Sequence, residues 1–236
     1  MTARESLKLL QLPDGMEIDV RVRRSGRARS ILLQVGNLDG AVELVVPNAA
    51  RISEAWEFAQ TKTEWLQNRL VGIRRPVPFA DGATFPFLGS ELRIIRLEGR
   101  YAPIRRIDGE LLVTTTTDRL PARIHRWLRA QASDEIKWRV AEKSGLLGHP
   151  CKRITIRDQQ TRWGSCSGSG NLNFSWRLIL APENVLDYVV AHEVAHLAEM
   201  NHGKRFWSHV ADLCDDPASA RAWLRNHGMD LHRYGR

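Results

Sequence analysis

Cysteine is scarce and unpatterned in this chain. Its three cysteines, Cys151, Cys166 and Cys214, form an odd set without CxxC spacing. That excludes a disulfide framework and reads as the reduced thiols of a cytoplasmic protein. Long apolar runs are missing as well. No stretch approaches the ~20 apolar residues needed to span a bilayer, so no membrane partner is expected. The opening MTARESLKLLQLPDGME has no apolar core followed by small residues, and no secretory signal is read there. Internal repeats and low-complexity segments are absent. Lysine is rare too: of 35 basic residues only six are lysine, leaving 29 arginines.

What remains is the composition of a folded chain. At 236 residues it has room for one large or two small domains and for a proper core. Hydrophobic and charged fractions of 43% and 26% place it with globular proteins rather than disordered ones. The net charge of +8 is carried by arginine, which suits bidentate contact with phosphate and carboxylate. An anionic partner, nucleic acid or a nucleotide, is one reading of an arginine-rich surface. A genome rich in arginine codons is an equal one.

The first half reads as strands. Glu17–Arg24 alternates as EIDVRVRR, with Ile18, Val20 and Val22 on one face. Further strands are expected at Ser30–Val35 and Ala41–Val46, joined by a turn holding Asn37, Asp39 and Gly40. The arginines at 21, 23, 24, 27 and 29 read as the solvated side of this region in preference to a phosphate-binding face. A helix is predicted over Ile52–Leu70, with Trp56, Trp65, Leu66 and Leu70 on its packed side. The turn-rich stretch Arg75–Gly82 ends that unit. Strands follow at Thr84–Leu88, Glu91–Leu97, Ile104–Ile107 and Glu110–Thr114, with hairpin turns at Gly89-Ser90 and Asp108-Gly109. This half contains no convincing catalytic constellation.

Helical character returns at Pro121 and runs to about Lys143, closed by Gly145. A strand at Arg153–Arg157 and another at Asn171–Trp176 flank a turn marked by Gly164, Gly168 and Gly170. Two last helices are expected, over Lys204–Cys214 and from Asp216-Pro217 onward. The elements divide into a β-rich part with one helix over 1–118 and a second domain over 119–236.

Within the second domain lies the stretch that carries chemistry, APENVLDYVVAHEVAHLAEMNHGKRFW, from Ala181 to Trp207. Pro182 suits a first helical position, Glu183 and Asp187 sit toward the positive end of the dipole, and Asn201 and Gly203 supply stop signals. His192 and His196 are four apart around Glu193, so on a helix both imidazoles reach one ion. Placing them on so apolar a helix costs free energy unless a metal or hydrogen bonds satisfy them. A catalytic zinc site takes three protein ligands and keeps a fourth position open. The third ligand must come from beyond this turn, and His202 is the nearest candidate. His209 and Glu199 are weaker ones. Cys166 is expected to be a buried thiol rather than a ligand, and Trp207 to pack behind the ligand-bearing turn.

The segments TRWGSCS and NFSWRLILAPENVLDYVVAHEVAHLAEMNHGKRFW, with VRRSGRARSILLQV and LVVPNAA in the first half, resemble the YgjP-like metallopeptidase-domain family, distantly similar to SprT-like zinc proteases. The resemblance implies an α+β fold: a zincin-like core with its active-site helix packed on a small sheet, preceded by a β-rich amino-terminal part. It implies Zn2+ on His192, His196 and His202, with Glu193 as the catalytic carboxylate. His202 also has metzincin ligand spacing, but Glu199 stands where that pattern has glycine, so the chain is not read as a metzincin. Arg162, Trp163 and Ser165 either form turn and packing or shape the site, with packing slightly preferred.

The favoured function is a zinc metallopeptidase acting on a protein or peptide through a Glu193-activated water. A metal-dependent phosphohydrolase of nucleoside triphosphates is the first alternative. A nucleic-acid-associated protein with a structural zinc, which would need a fourth ligand such as Cys166, is the second.

Overall fold

Alternating apolar and charged positions build the first sheet. The computed structural model describes residues 6–36, 40–71 and 76–235; Asn37 and Asp39 of one expected turn, and Arg75 of another, lie outside them. The chain is α+β and forms two compact units, Met1–Pro76 and Val77–Arg236. The strands between 77 and 118, grouped by sequence with the amino-terminal part, therefore belong with the second unit.

In the first unit the strands are β1 (Ser6–Gln11), β2 (Glu17–Ser25), β3 (Leu32–Val35) and β4 (Val42–Pro47), in the order β1-β2-β4-β3. β2 and β4 are parallel, and the outer pairs are antiparallel. Val20 and Val22 of β2 face Ala55, Ala59 and Leu66 of two helices, α1 (Ile52–Gln60) and α2 (Thr63–Val71), in one buried cluster. The sequence predicts one helix there. It breaks because the Thr61 hydroxyl donates to the Phe58 carbonyl at 2.7 Å, offering the backbone a local alternative. β1 is a strand that alternation did not signal: Leu7 and Leu9 both point to solvent. Arginines of β2 have local work. Arg23 donates to both carboxylate oxygens of Glu43, and Arg24 to the carbonyls of Pro47, Asn48 and Ala50.

The second unit holds two sheets. The first runs β5 (Thr84–Phe87), β6 (Ser90–Leu97), β8 (Glu110–Thr114) and β7 (Arg105–Ile107) in that spatial order. Its hairpins turn at Leu88-Gly89 and Asp108-Gly109, where all four residues have positive φ, as a type I′ turn requires. Ser90, expected in the first turn, instead opens β6. The long helix α3 (Leu120–Leu147) buries Leu120, Ile124, Leu128, Ala132, Ile136 and Val140 along one stripe. It passes Gly145 and stops at Gly148, whose φ of 73° gives the left-handed cap. The second sheet orders β10 (Gly164–Cys166), β11 (Asn171–Ser175) and β9 (Arg153–Arg157). α4 (Glu183–Ala195), α5 (Lys204–Leu213) and α6 (Pro217–His227) complete the unit. All three cysteines are free thiols. Among the described residues no helix is long and apolar enough to cross a membrane.

Two buried cation groups fix the helices. Arg139 and Lys143, one turn apart on α3, meet Glu183 and Asp187, one turn apart on α4. Arg139 lies 2.6 Å from Glu183, and Lys143 lies 2.9 Å from Asp187 and donates to the Leu213 carbonyl at 2.7 Å. Arg177, just past β11, pairs with Asp158 at 2.8 Å and donates to the carbonyls of Leu231 and Tyr234. Val77 exchanges backbone bonds with Arg233 and Gly235, so the end of the described chain closes on the start of its unit.

Asp187→Ala leaves the Lys143 ammonium buried on a carbonyl alone. It should cost about 3 kcal/mol in urea denaturation, and adding Lys143→Met should recover most of that. Full cost retained in the double variant would show that the pair does not hold the helices. Burial opposes ionisation of Asp158, but the hydrogen bonds and charge of Arg177 outweigh it and hold the carboxyl below its ordinary 3.8. A depressed folded pKa adds stability above the unfolded value and loses it as pH falls through the folded one. Asp158→Asn should thus be less stable than wild type at pH 7 by on the order of 2 kcal/mol. The two midpoints should converge in acid below the carboxylate range.

Candidate metal centre

Helix α4 is buried on nearly every side, and its polar exceptions are the ones that matter. Val185, Leu186, Val189, Val190, Val194 and Ala195 are all in the core, while His192 is half-buried and Glu193 is 6% exposed. The sequence carries the helix on to Asn201. It ends instead at Ala195, with His196 as its cap. There the backbone tightens: Leu197 and Ala198 donate to the carbonyls of Val194 and Ala195, three residues back. The loop that follows brings His202 back to face the helix just before α5 begins.

His192, His196 and His202 come together, with ligand nitrogens all within 4.8 Å of one another. Nε2 of His192 and Nε2 of His202 are 3.2 Å apart. Two nitrogens at ~2.0–2.1 Å from one tetrahedral ion lie about 3.3–3.4 Å from each other, so this spacing fits a shared metal. The Nδ1 atom of His196 lies 3.1 Å from the Glu199 carbonyl. A carbonyl only accepts, so Nδ1 carries the proton and Nε2 keeps its lone pair for a metal. Tyr188, one turn before His192, places its hydroxyl 3.5 Å from His192 Nδ1.

Electrostatics favours the form a metal needs. Burial, then the neighbouring His196 and His202, push His192 down to about 4, which keeps the imidazole neutral. Burial lowers His196 as well, with His202 adding to it and the Glu199 carbonyl opposing. The same burial acts in the other direction on Glu193 and pushes its carboxyl up to about 7, with the charge of Arg162 opposing. A carboxylate near neutrality is suited to taking and returning a proton.

Three contributors were not legible beforehand. Phe206 is fully buried, and its ring centroid lies 4.9, 4.5 and 4.7 Å from those of His192, His196 and His202. It forms the apolar floor of the group, a role expected of Trp207. Trp207 stands farther out, 6.0 Å from His192 and from His202, under the Arg221 guanidinium. Gly164 is the second: a Cβ there would come within 2.6 Å of Glu193 Cγ and Oε1. The third is β10 itself, read from sequence as a turn. It is an edge strand, paired with β11 on one side.

Other candidates stand apart. Glu199 takes part through its carbonyl, and neither its carboxylate nor His209 belongs to the group. Cys166 is outside it too, and burial, with Glu193 and Cys151 adding, raises its thiol to about 11. Trp163 packs on His232 and over Gly228, while Ser165 accepts from Asn173 across β10–β11. Gly164→Ala should cost about 1–3 kcal/mol by overpacking. Glu193→Ala in the same chain should relieve it, which a denaturation double-mutant cycle measures. Additive effects would mean that the two residues do not press on each other.

The family description "YgjP-like, metallopeptidase domain" matches residues 29–227, a span that includes the three histidines, Glu193 and β10. No curated protein matches. Among solved structures, the crystal structure of the metallopeptidase zymogen of Pyrococcus abyssi abylysin is similar at a TM-score of 0.35 and 20% identity, over 42% of this chain and 97% of that one. A metallopeptidase domain implies a hydrolase with a divalent metal, which three converging imidazoles can hold. The chain belongs to the YgjP-like metallopeptidase-domain family.

Proposed function

We propose that this protein is a zinc-dependent metallopeptidase whose peptide-bond hydrolysis uses Glu193 as the proton-transferring group. The observation that carries the reading is the placement of Glu193: a buried carboxylate on the helix turn that bears His192 and His196, pressed against an edge strand. The donor set suits zinc, which accepts neutral imidazole and, with three protein ligands, keeps a position for water or substrate. Bound zinc would supply Lewis acidity, lowering the pKa of a water toward ~7 and polarising a carbonyl.

The chain's own residues do the rest. His192, His196 and His202 hold the ion, with Phe206 keeping the ring planes packed and dry on the inner side. Glu193 takes a proton from the attacking water and returns it to the leaving amine. Gly164 leaves the space in which that carboxylate lies. An extended peptide can add to the open side of β10 through backbone hydrogen bonds, which gives affinity independent of side chains. This strand edge favours peptide over nucleotide, since the arginine-lined cavity at the start of α3 contains none of the three histidines. A structural zinc would want a fourth protein ligand, and a Cys166 thiol raised to about 11 is a poor one.

On an unfolded protein substrate, wild type should cleave, lose activity to a chelator and regain it with zinc. Glu193→Gln should keep its zinc and lose on the order of 10²–10⁴ in turnover. Retained cleavage in that variant would remove Glu193 from its role. His202→Ala should weaken zinc binding by more than the ~10–100-fold typical of an outer partner, as read by competition with a chromophoric chelator.

A further inference from the structure

Two pinned arginines and two unengaged ones line a cavity of about 670 Å³ in the second unit, between the β6–β8 strands and the start of α3. Arg119 caps α3, and Arg123 and Arg126 follow four and seven positions on, so all three share one face of the helix. At 1.5 Å per residue this row is about 10 Å long, more than a single phosphate can bridge. Arg96 comes from β6 and is fixed by the Thr115 carbonyl and by Glu98, the one acid lining the cavity. Arg123 is buried and donates to the carbonyls of Thr114 and Ala102. Arg119 and Arg126 are exposed, and among the described residues neither side chain makes a hydrogen bond or an ion pair. The exposed carboxyl of Asp118 is lowered by a Thr116 hydrogen bond and, less strongly, by the nearby charge of Arg119.

An aromatic ring stands at the same cavity. Tyr101 is 79% exposed, with the Arg123 guanidinium 3.9 Å from its ring centroid. One ring face is thus held by a cation and the remainder is open to solvent. A large exposed aromatic so supported, beside a row of guanidiniums, has the two components of a single-strand site: a charged track for phosphates and a platform for a base. An acidic peptide would use the arginines and leave the ring without a purpose.

We infer that this cavity binds single-stranded nucleic acid, with phosphates on Arg119 and Arg126 and a base stacked on Tyr101, whose ring Arg123 supports. The site uses none of the three histidines and stands independently of the peptidase reading.

Anisotropy of a labelled twelve-residue oligothymidylate, titrated with the full chain at several salt concentrations, tests it. Wild type should bind with strong salt dependence. Arg119→Gln with Arg126→Gln should weaken binding at least tenfold and flatten the log K against log salt slope by about 1.4, at ~0.7 for each phosphate left without its arginine. Tyr101→Leu should weaken the oligonucleotide and leave competition by polyglutamate unchanged. His192→Ala should bind as wild type does, which keeps this result separate from the fate of the metal centre. No binding, or wild-type binding by the double arginine variant, would overturn the inference. Polyglutamate competing as well as the oligonucleotide at equal charge would overturn it in favour of an acidic-peptide site.

Discussion

The ladder of ions between α3 and α4 is the constraint on which the candidate site depends. Arg139 and Lys143 are buried cations, and Glu183 and Asp187 meet them at matching helical spacing, with Glu135 of α3 also pairing with Arg139. Desolvated charges of this kind add little net stability but penalise every arrangement that separates them. The register of α4 is fixed in this way at its first two turns. The last two turns then present His192, Glu193 and His196 at set positions. Arg177 does similar work at the other side of the unit, tying β11 to the carboxy-terminal turn through Asp158 and two carbonyls.

Burial is the second organising force, and it acts with opposite sign on the two kinds of group it encloses. It favours the uncharged form of each, so the imidazoles move down and the carboxyl moves up. One apolar setting therefore leaves the imidazoles neutral and holds the carboxyl near neutrality. Val185 to Ala195 supply that setting from the helix, and Phe206 supplies it from α5.

Much of this was written in short-range pattern. HEVAH, the helix preceding it and a third histidine beyond are local features, and the structure gathers those three side chains into one group. The α+β class and most strands follow from alternation, which reports the burial of one face. What escaped was non-local or sub-periodic. Leu7 and Leu9 of β1 face solvent while Leu10 is buried, so the alternating leucines did not mark its core side. Gly164 reads as turn chemistry until the side chain of Glu193 is placed against it. Glu183 and Asp187 read as dipole partners, because Arg139 and Lys143 lie far off in sequence. The helix ended at Ala195 rather than Asn201, where the backbone tightens and the Glu199 carbonyl accepts from the His196 imidazole. The fold boundary near residue 76 escaped for the same reason, since composition does not change where packing does.

The close fit of Gly164 under Glu193 separates two things that the site needs. All three histidines fall between positions 192 and 202, so they can meet by closing a short loop. The carboxylate packs against β10, which is held in the sheet through β11 alone. Three donors so close in sequence can meet before the sheet forms, while the seat of the carboxylate on Gly164 waits for it. Under the proposed function, metal binding asks only for local order, and turnover for the completed fold.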